Sequence, residues 1–156
     1  MLERSVMVSR AAAGTDLAQV FAIIRAAHGH NAAAGITGGL IFLDGWFAQA
    51  LEGPPAALAA TLARIAGDPR HQEVALRRRE RGLCRLFPGQ ALALRSRSCI
   101  DQGLLEAFGY RPGFPVAGFP ADVLVEFLVR ACRPGRGAGA GRAGPGRIDP
   151  AERPRY

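Results

Sequence analysis

Gln49 is a polar residue inside an otherwise apolar stretch, WFAQAL, at residues 46–51. Its carboxamide carries both donors and an acceptor, and burying them without partners costs roughly 1–3 kcal/mol. A strand that buries this side chain must therefore bring a polar group to it. The sequence predicts either a bound ligand at this position or a hydrogen bond to backbone across the sheet.

The cysteines and the charges of the chain argue against several other kinds of site. Cys84, Cys99 and Cys132 have neither CxxC spacing nor a nearby histidine cluster, so neither a disulfide framework nor a zinc site is predicted. The net charge of +7 would ordinarily indicate nucleic acid as a partner. Six arginines lie in residues 133–156, however, so the body of the chain is not expected to bind nucleic acid.

The length of 156 residues, 49% of them hydrophobic, suits one core. The sequence contains no run of about 18 apolar residues, and the first ten residues become charged too early for a signal peptide. We therefore expect a cytoplasmic protein without a membrane partner. Its predicted parts are a domain over 1–98, a helical extension over 99–132 and a disordered Gly/Pro/Arg-rich tail over 133–156.

Apolar residues recur with strand and helix periods along the chain. The predicted strands cover 3–9, 36–43, 46–52, 71–82 and 91–96. The predicted helices run from a Thr15 cap to near Gly29, from Pro54-Pro55 to Gly67, and over 101–109 and 121–132. This order predicts an α+β fold, a ferredoxin-like βαββαββ sheet with two helices on one face, plus C-terminal helices.

Local patterns indicate how these elements meet. Asp44-Gly45 is typical of a two-residue type I′ hairpin. Right-handed crossovers place the first strand beside the third, so that Met7 and Gln49 become neighbours facing the two helices. The apolar stripe of the first helix is predicted to contain Leu17, Val20, Phe21 and Ile24. The stripe of the last helix must cover the other sheet face or a partner chain, and contains Leu124, Phe127, Leu128 and Ala131.

Three motifs in a fixed order resemble those of the BLUF family, flavin-binding sensors of blue light. They are GITG at 35–38, FAQALEG at 47–53 and DPRH at 68–71. The similarity runs from about Leu2 to about Arg95. It implies an FAD cofactor whose isoalloxazine ring lies between the two helices, over the central strands.

The resemblance implies that Asn31 and Gln49 hydrogen-bond the polar edge of the flavin ring. A carboxamide can donate in one rotamer or tautomer and change that pattern in another, so Gln49 would both hold the flavin and respond to its electronic state. Without the resemblance, Asn31 has a plainer interpretation as a cap of the first helix.

The resemblance implies that five further residues lie near the cofactor. Arg70 is placed to meet an anionic phosphate, and Ile23 and Ile24 to form the apolar floor under the ring. His30 and His71 match positions beside it. Alternatively, His30 is a solvated loop residue, and Arg70 and His71 cap the C-terminus of the second helix.

Met7 stands where the family carries a tyrosine on the first strand. The light reaction implied by the resemblance is proton-coupled electron transfer from that tyrosine, followed by rearrangement of the glutamine. A thioether has no acidic proton to give. A second departure follows residues 85–88, because Gln90 and Leu92 stand where the family often has Trp and Met.

Two main functional hypotheses follow. The first is an FAD-binding blue-light sensor that signals by protein-protein contacts, either to a protein effector or by self-association of a homo-oligomer through its C-terminal helices. The second is a light-insensitive BLUF-like interaction or redox module. An enzyme on the same scaffold, such as an acyl phosphate hydrolase, is not predicted, because the sequence offers no phosphate loop, catalytic triad or metal cluster.

Overall fold

The computed structural model describes residues 1–112 and 118–133. The strands are β1 (Leu2–Ala11), β2 (Thr37–Leu43), β3 (Trp46–Gly53), β4 (His71–Gly82) and β5 (Ala93–Ser96). The α-helices are α1 (Leu17–Ala33), α2 (Pro55–Ala66), α3 (Gln102–Ala107) and α4 (Ala121–Cys132). The predicted tail falls outside the described residues from 134 onward.

The described strands form a single sheet in the order β4-β1-β3-β2-β5. β5 runs parallel to β2, whereas the other neighbouring pairs are antiparallel. β4 and β5 are the two edge strands of this sheet. The ferredoxin-like α+β fold with one added strand is thereby confirmed.

The first helix differs from its prediction at both ends. Asp16, not Thr15, is the N-cap, and its Oδ1 accepts from the backbone N–H of Gln19 at 2.8 Å. The helix also continues past Gly29 to Ala33, so the predicted end is wrong. A glycine inside a helix costs only about 1 kcal/mol, and the alanines that follow favour another turn.

The residues of α1 that face the sheet also differ in part from the predicted ones. Val20, Ile23 and Ile24 are buried, whereas Leu17 and Phe21 are 55% and 49% exposed. The predicted stripe is therefore wrong for Leu17 and Phe21. The buried face instead contains Val20, Ile24 and Asn31. Asn31 lies inside the helix, so its interpretation as a helix cap is wrong.

The sheet separates two apolar layers. Helices α1 and α2 cover one face, where the sheet contributes Leu40, Phe47 and Leu51. Helices α3 and α4 cover the other, where the sheet contributes Val6, Val8, Ile41, Leu43, Ala48 and Ala50. The predicted stripe of α4 is buried against this second face and not left for a partner chain.

The β2–β3 hairpin turns at the predicted dipeptide. Asp44 and Gly45 have φ values of 49° and 78°, as a type I′ turn requires. Tyr110, which follows α3, donates its hydroxyl to the Asp44 carboxylate. The pKa of Tyr110 is raised to about 12, mainly because the hydroxyl is buried and secondly because it forms this hydrogen bond. The C-terminal extension thus contacts the tip of the hairpin that carries Gln49.

Candidate functional site

A cavity of about 540 Å³ lies between α1, α2 and the sheet. This volume is within the roughly 300–1,000 Å³ typical of small-molecule sites. The apolar part of its lining includes Ile23, Ile24, Leu40, Phe47, Leu51 and Leu92. Strand alternation explains which residues of β3 line the cavity, because Phe47, Gln49 and Leu51 point to the same face of the sheet.

Asn31 enters the cavity from α1 and is only 1% exposed. Its Nδ2 donates to the carbonyl of Ala91 at 3.0 Å. Its Oδ1 is buried and has no hydrogen-bond partner among the described residues. An unpaired buried acceptor costs about 1–3 kcal/mol, so this atom is suited to an N–H group of a ligand.

Gln49 enters the same cavity from β3 and is also buried. Within residues 1–112 and 118–133, no hydrogen bond engages its carboxamide. The alternative of a backbone partner across the sheet is therefore not found there. Two carboxamides from different elements consequently share one apolar cavity, with hydrogen-bonding capacity left over on both.

Met7 lies directly opposite Gln49 in the β1–β3 pair, as predicted. It is buried but does not line the cavity. Met7 is the exception among the predicted site residues. The other seven all line the cavity, and they are Ile23, Ile24, His30, Asn31, Gln49, Arg70 and His71. His30 is exposed but lies within α1, so its interpretation as a loop residue is wrong.

His71 is largely buried where β4 begins. Its Nδ1 lies 2.8 Å from the hydroxyl of Ser9, and its ring packs against Phe47 with centroids 4.7 Å apart. Desolvation by burial lowers the pKa of His71 below its ordinary value of 6.5. The imidazole is therefore neutral at pH 7.

Arg70 forms a bidentate ion pair with Asp68 at the cavity. The Nε–Oδ1 and Nη2–Oδ2 distances are 2.9 and 2.6 Å. This side-chain hydrogen bonding is the main reason that the pKa of Asp68 is lowered to about 2. The charge of Arg70 is thus already balanced by a carboxylate.

Arg64 also lines the cavity, and the sequence prediction missed it. Its side-chain contact is a long one, 3.5 Å from Nη2 to the hydroxyl of Thr61, and no carboxylate of the described residues forms an ion pair with it. A signal for it was present, because Arg64 lies in the last turn of the helix that was predicted to end at Gly67. Leu92, noted in the sequence only as a departure from the family, is likewise part of the wall.

Comparison with known proteins assigns this arrangement to a family. The family model described as BLUF, sensors of blue light using FAD, matches residues 2–93. Photoactivated adenylate cyclase subunit beta of Euglena longa is 39% identical over 67 residues, which is 43% of this chain and 8% of that protein. Subunit alpha of the Euglena gracilis cyclase is 36% identical over 67 residues, 43% of this chain and 7% of its own. The chain therefore spans less than a tenth of these curated relatives.

Two solved structures show the same fold over most of the chain. BlrB, a BLUF protein in its dark state, is 29% identical with a TM-score of 0.69, and the match covers 83% of this chain and 93% of BlrB. The photo-activated state of BlsA has a TM-score of 0.75 at 20% identity, covering 85% of this chain and 95% of BlsA. At that identity, the likeness to BlsA shows the fold alone.

The cavity is compatible with the family's cofactor. Much of its wall is apolar, which suits a flat aromatic ring system, and Asn31 and Gln49 provide unused polar groups for the edge of such a ring. The match over residues 2–93 covers more than half of the chain. The chain belongs to the BLUF family, the sensors of blue light that use FAD.

Proposed function

We propose that this chain binds FAD in the cavity between α1 and α2 and acts as a blue-light sensor through protein-protein contacts. One observation carries the proposal. Asn31 and Gln49 are buried in a single apolar cavity, each with a carboxamide whose hydrogen-bonding capacity the described residues leave unused. Buried polar groups without a protein partner cost stability unless another molecule pairs with them, so this pair of carboxamides is suited to a ligand with polar groups at its edge.

The two carboxamides have different tasks in this proposal. Because Asn31 Nδ2 is occupied by Ala91, its Oδ1 accepts from an N–H group at the edge of the ligand. Gln49 has no fixed partner and is able to change rotamer, so it either donates or accepts. FAD, when bound, supplies the absorption of blue light and the redox chemistry.

Arg64 is a better candidate than Arg70 for an anionic phosphate. The carboxylate of Asp68 already pairs with Arg70, whereas Arg64 has only its long contact with Thr61. In this assignment, the Arg70–Asp68 pair shapes the rim of the cavity, and Arg64 supplies positive charge.

A second candidate function is favoured by Met7. This residue occupies the strand position opposite Gln49 and has no proton to transfer. Tyr110, the tyrosine of the described part, belongs to the apolar layer on the other face of the sheet. The alternative is thus an FAD-binding interaction or redox module that does not respond to light.

Contacts with a protein effector or with a second copy of the chain require a surface that remains free. The apolar stripe of α4 is buried against the sheet, so we place such contacts on its outer side. A groove there includes Leu86, Val125, Val129 and Arg130 in its lining. We propose no catalytic turnover for this domain. No helix in the described ranges combines the length and the apolar character needed to cross a bilayer.

The test is the visible absorption spectrum of the protein purified with FAD, recorded in the dark and during blue illumination. Bound flavin with a reversible red shift supports the light sensor. Bound flavin without a shift supports the light-insensitive module. Protein that stays colourless after addition of FAD contradicts both.

A further inference from the structure

Glu52 is a completely buried carboxylate near the end of β3, three residues after Gln49 and on the opposite face of the sheet. A buried charge persists only where donors surround it. Arg4 Nε donates to its Oε1 at 2.8 Å. The backbone N–H of Leu86 donates at 2.9 Å and that of Phe87 at 3.2 Å to its Oε2.

The two backbone donors belong to a segment, residues 85–91, that forms neither helix nor strand. The guanidinium of Arg85, at the start of the same segment, anchors it to Gly35, β2 and β3 by three hydrogen bonds. It donates to the carbonyl of Gly35 at 2.8 Å, to the hydroxyl of Thr37 at 2.8 Å and to the carbonyl of Glu52 at 3.0 Å. We call Arg4, Glu52 and Arg85, with the backbone N–H groups of residues 86 and 87, the Glu52 clasp.

The clasped segment leads directly to the cavity. The carbonyl of Gln90 accepts from the backbone N–H of Gly38 at 2.9 Å. The carbonyl of Ala91 then accepts from Asn31 Nδ2, which leaves Oδ1 as the unpartnered atom of that carboxamide. Leu92, the next residue, is part of the cavity wall.

We propose that Glu52 is a positioning residue of the FAD site. It holds residues 85–91 in place, and the Ala91 carbonyl of that segment then orients the Asn31 carboxamide. In this orientation, Oδ1 of Asn31 is available to the ligand. This inference rests on the proposed function, because the site it serves is the flavin site. Glu52 itself lies on the far side of the sheet and does not line the cavity.

The first test needs no ligand. In Glu52→Gln, an NH₂ group replaces one oxygen and cannot accept from the clasp. We expect hydrogen exchange of the Asn31 side-chain amide, followed by NMR on ligand-free protein, to accelerate by about tenfold or more as the segment opens. Glu80→Gln is the matched control, since it removes the other carboxylate of Arg4, at 3.0 Å, without touching residues 85–91. An unchanged exchange rate in Glu52→Gln overturns the proposal.

The second test is a double-mutant cycle on FAD affinity. Glu52→Gln is expected to raise the Kd for FAD about tenfold in the wild-type background and less than about twofold in the Asn31→Ala background. Equal losses in both backgrounds would show a merely structural role and overturn the proposal. If Glu52→Gln does not fold, Arg85→Ala replaces it in the same double-mutant cycle, because it removes the hydrogen bonds by which Arg85 holds residues 85–91. Wild-type protein that fails to bind FAD refutes the proposed function, while the exchange test still decides whether the clasp orients Asn31.

Discussion

Met7 of β1 is the direct cross-strand neighbour of Gln49 of β3. The two side chains leave the sheet on the same face, toward α1 and α2. A tyrosine at this position would place a hydroxyl next to the carboxamide, whereas methionine places a thioether there. Gln49, whose carboxamide is able to change its hydrogen bonding, therefore has a neighbour, Met7, that is only a weak hydrogen-bond acceptor.

Replacing Met7 with tyrosine should strengthen the response to light. We expect the light-minus-dark difference spectrum of FAD-loaded Met7→Tyr to show a larger red shift than that of the wild type, because the phenol supplies a transferable proton beside Gln49. Met7→Phe is the matched control, with the ring but without the hydroxyl. Equal spectra for the tyrosine and phenylalanine variants would contradict the prediction.

Gln49→Leu should have opposite effects on stability and on binding. Ligand-free protein is expected to gain up to about 1 kcal/mol in its free energy of unfolding, because a buried carboxamide without a partner is replaced by an apolar group of similar size. FAD affinity should fall by about tenfold, equivalent to one lost hydrogen bond. Urea denaturation and flavin fluorescence titration measure the two quantities. A loss of stability in the ligand-free state would indicate that Gln49 has a structural role.

Arg64→Ala should weaken the binding of FAD more than that of riboflavin, which lacks phosphates. The difference should shrink as salt is added, since the contact is partly exposed to solvent. Arg70→Ala is the comparison, because Arg70 is already paired with Asp68 and its removal alters the cavity rim without removing a free cation. Equal losses for FAD and riboflavin in Arg64→Ala would exclude a phosphate contact.

The stability of the ligand-free protein should depend on His71 in mildly acidic solution. Its folded-state pKa lies below 6.5 because burial disfavours the imidazolium, so the unfolded chain takes up this proton first. The free energy of unfolding should be unaffected by this group above pH 6.5 and decrease as the pH falls from there toward the folded-state pKa. His71→Gln should remove that part of the slope in urea midpoints measured against pH. A variant with the wild-type slope would show that other groups cause it.

Short-range patterns predicted much of this fold. The Asp44-Gly45 turn, the adjacency of Met7 and Gln49, and the burial of the α4 stripe all follow from local spacing and crossover handedness. The errors at α1 arose because Asp16 and Thr15 are both good caps and because Gly29 breaks a helix only weakly. Local rules could not decide between such near-equivalent choices.

The residues that were missed depend on contacts between distant parts of the chain. Nothing local to Glu52 reveals that Arg4 and the backbone of residues 86 and 87 surround it. Similarly, Arg70 and Arg64 differ in their ion pairing and not in residue type, so the sequence could not rank them as anion ligands. Of the seven predicted residues that line the cavity, Gln49 was indicated by its polar side chain in an apolar strand, and the other six were assigned to the site through the family resemblance.

The packing of α3 and α4 changes what can be regarded as a transferable unit. Residues 1–98 contain every residue of the cavity lining, and by that criterion alone they would be sufficient for a fusion protein. Yet Val6, Val8, Ile41 and Ala48 are covered by the helices that follow, and the hairpin tip is bonded to Tyr110. An engineer who grafts only the first 98 residues onto an effector would transplant a flavin pocket with an uncovered apolar sheet face behind it, and the graft should include α3 and α4.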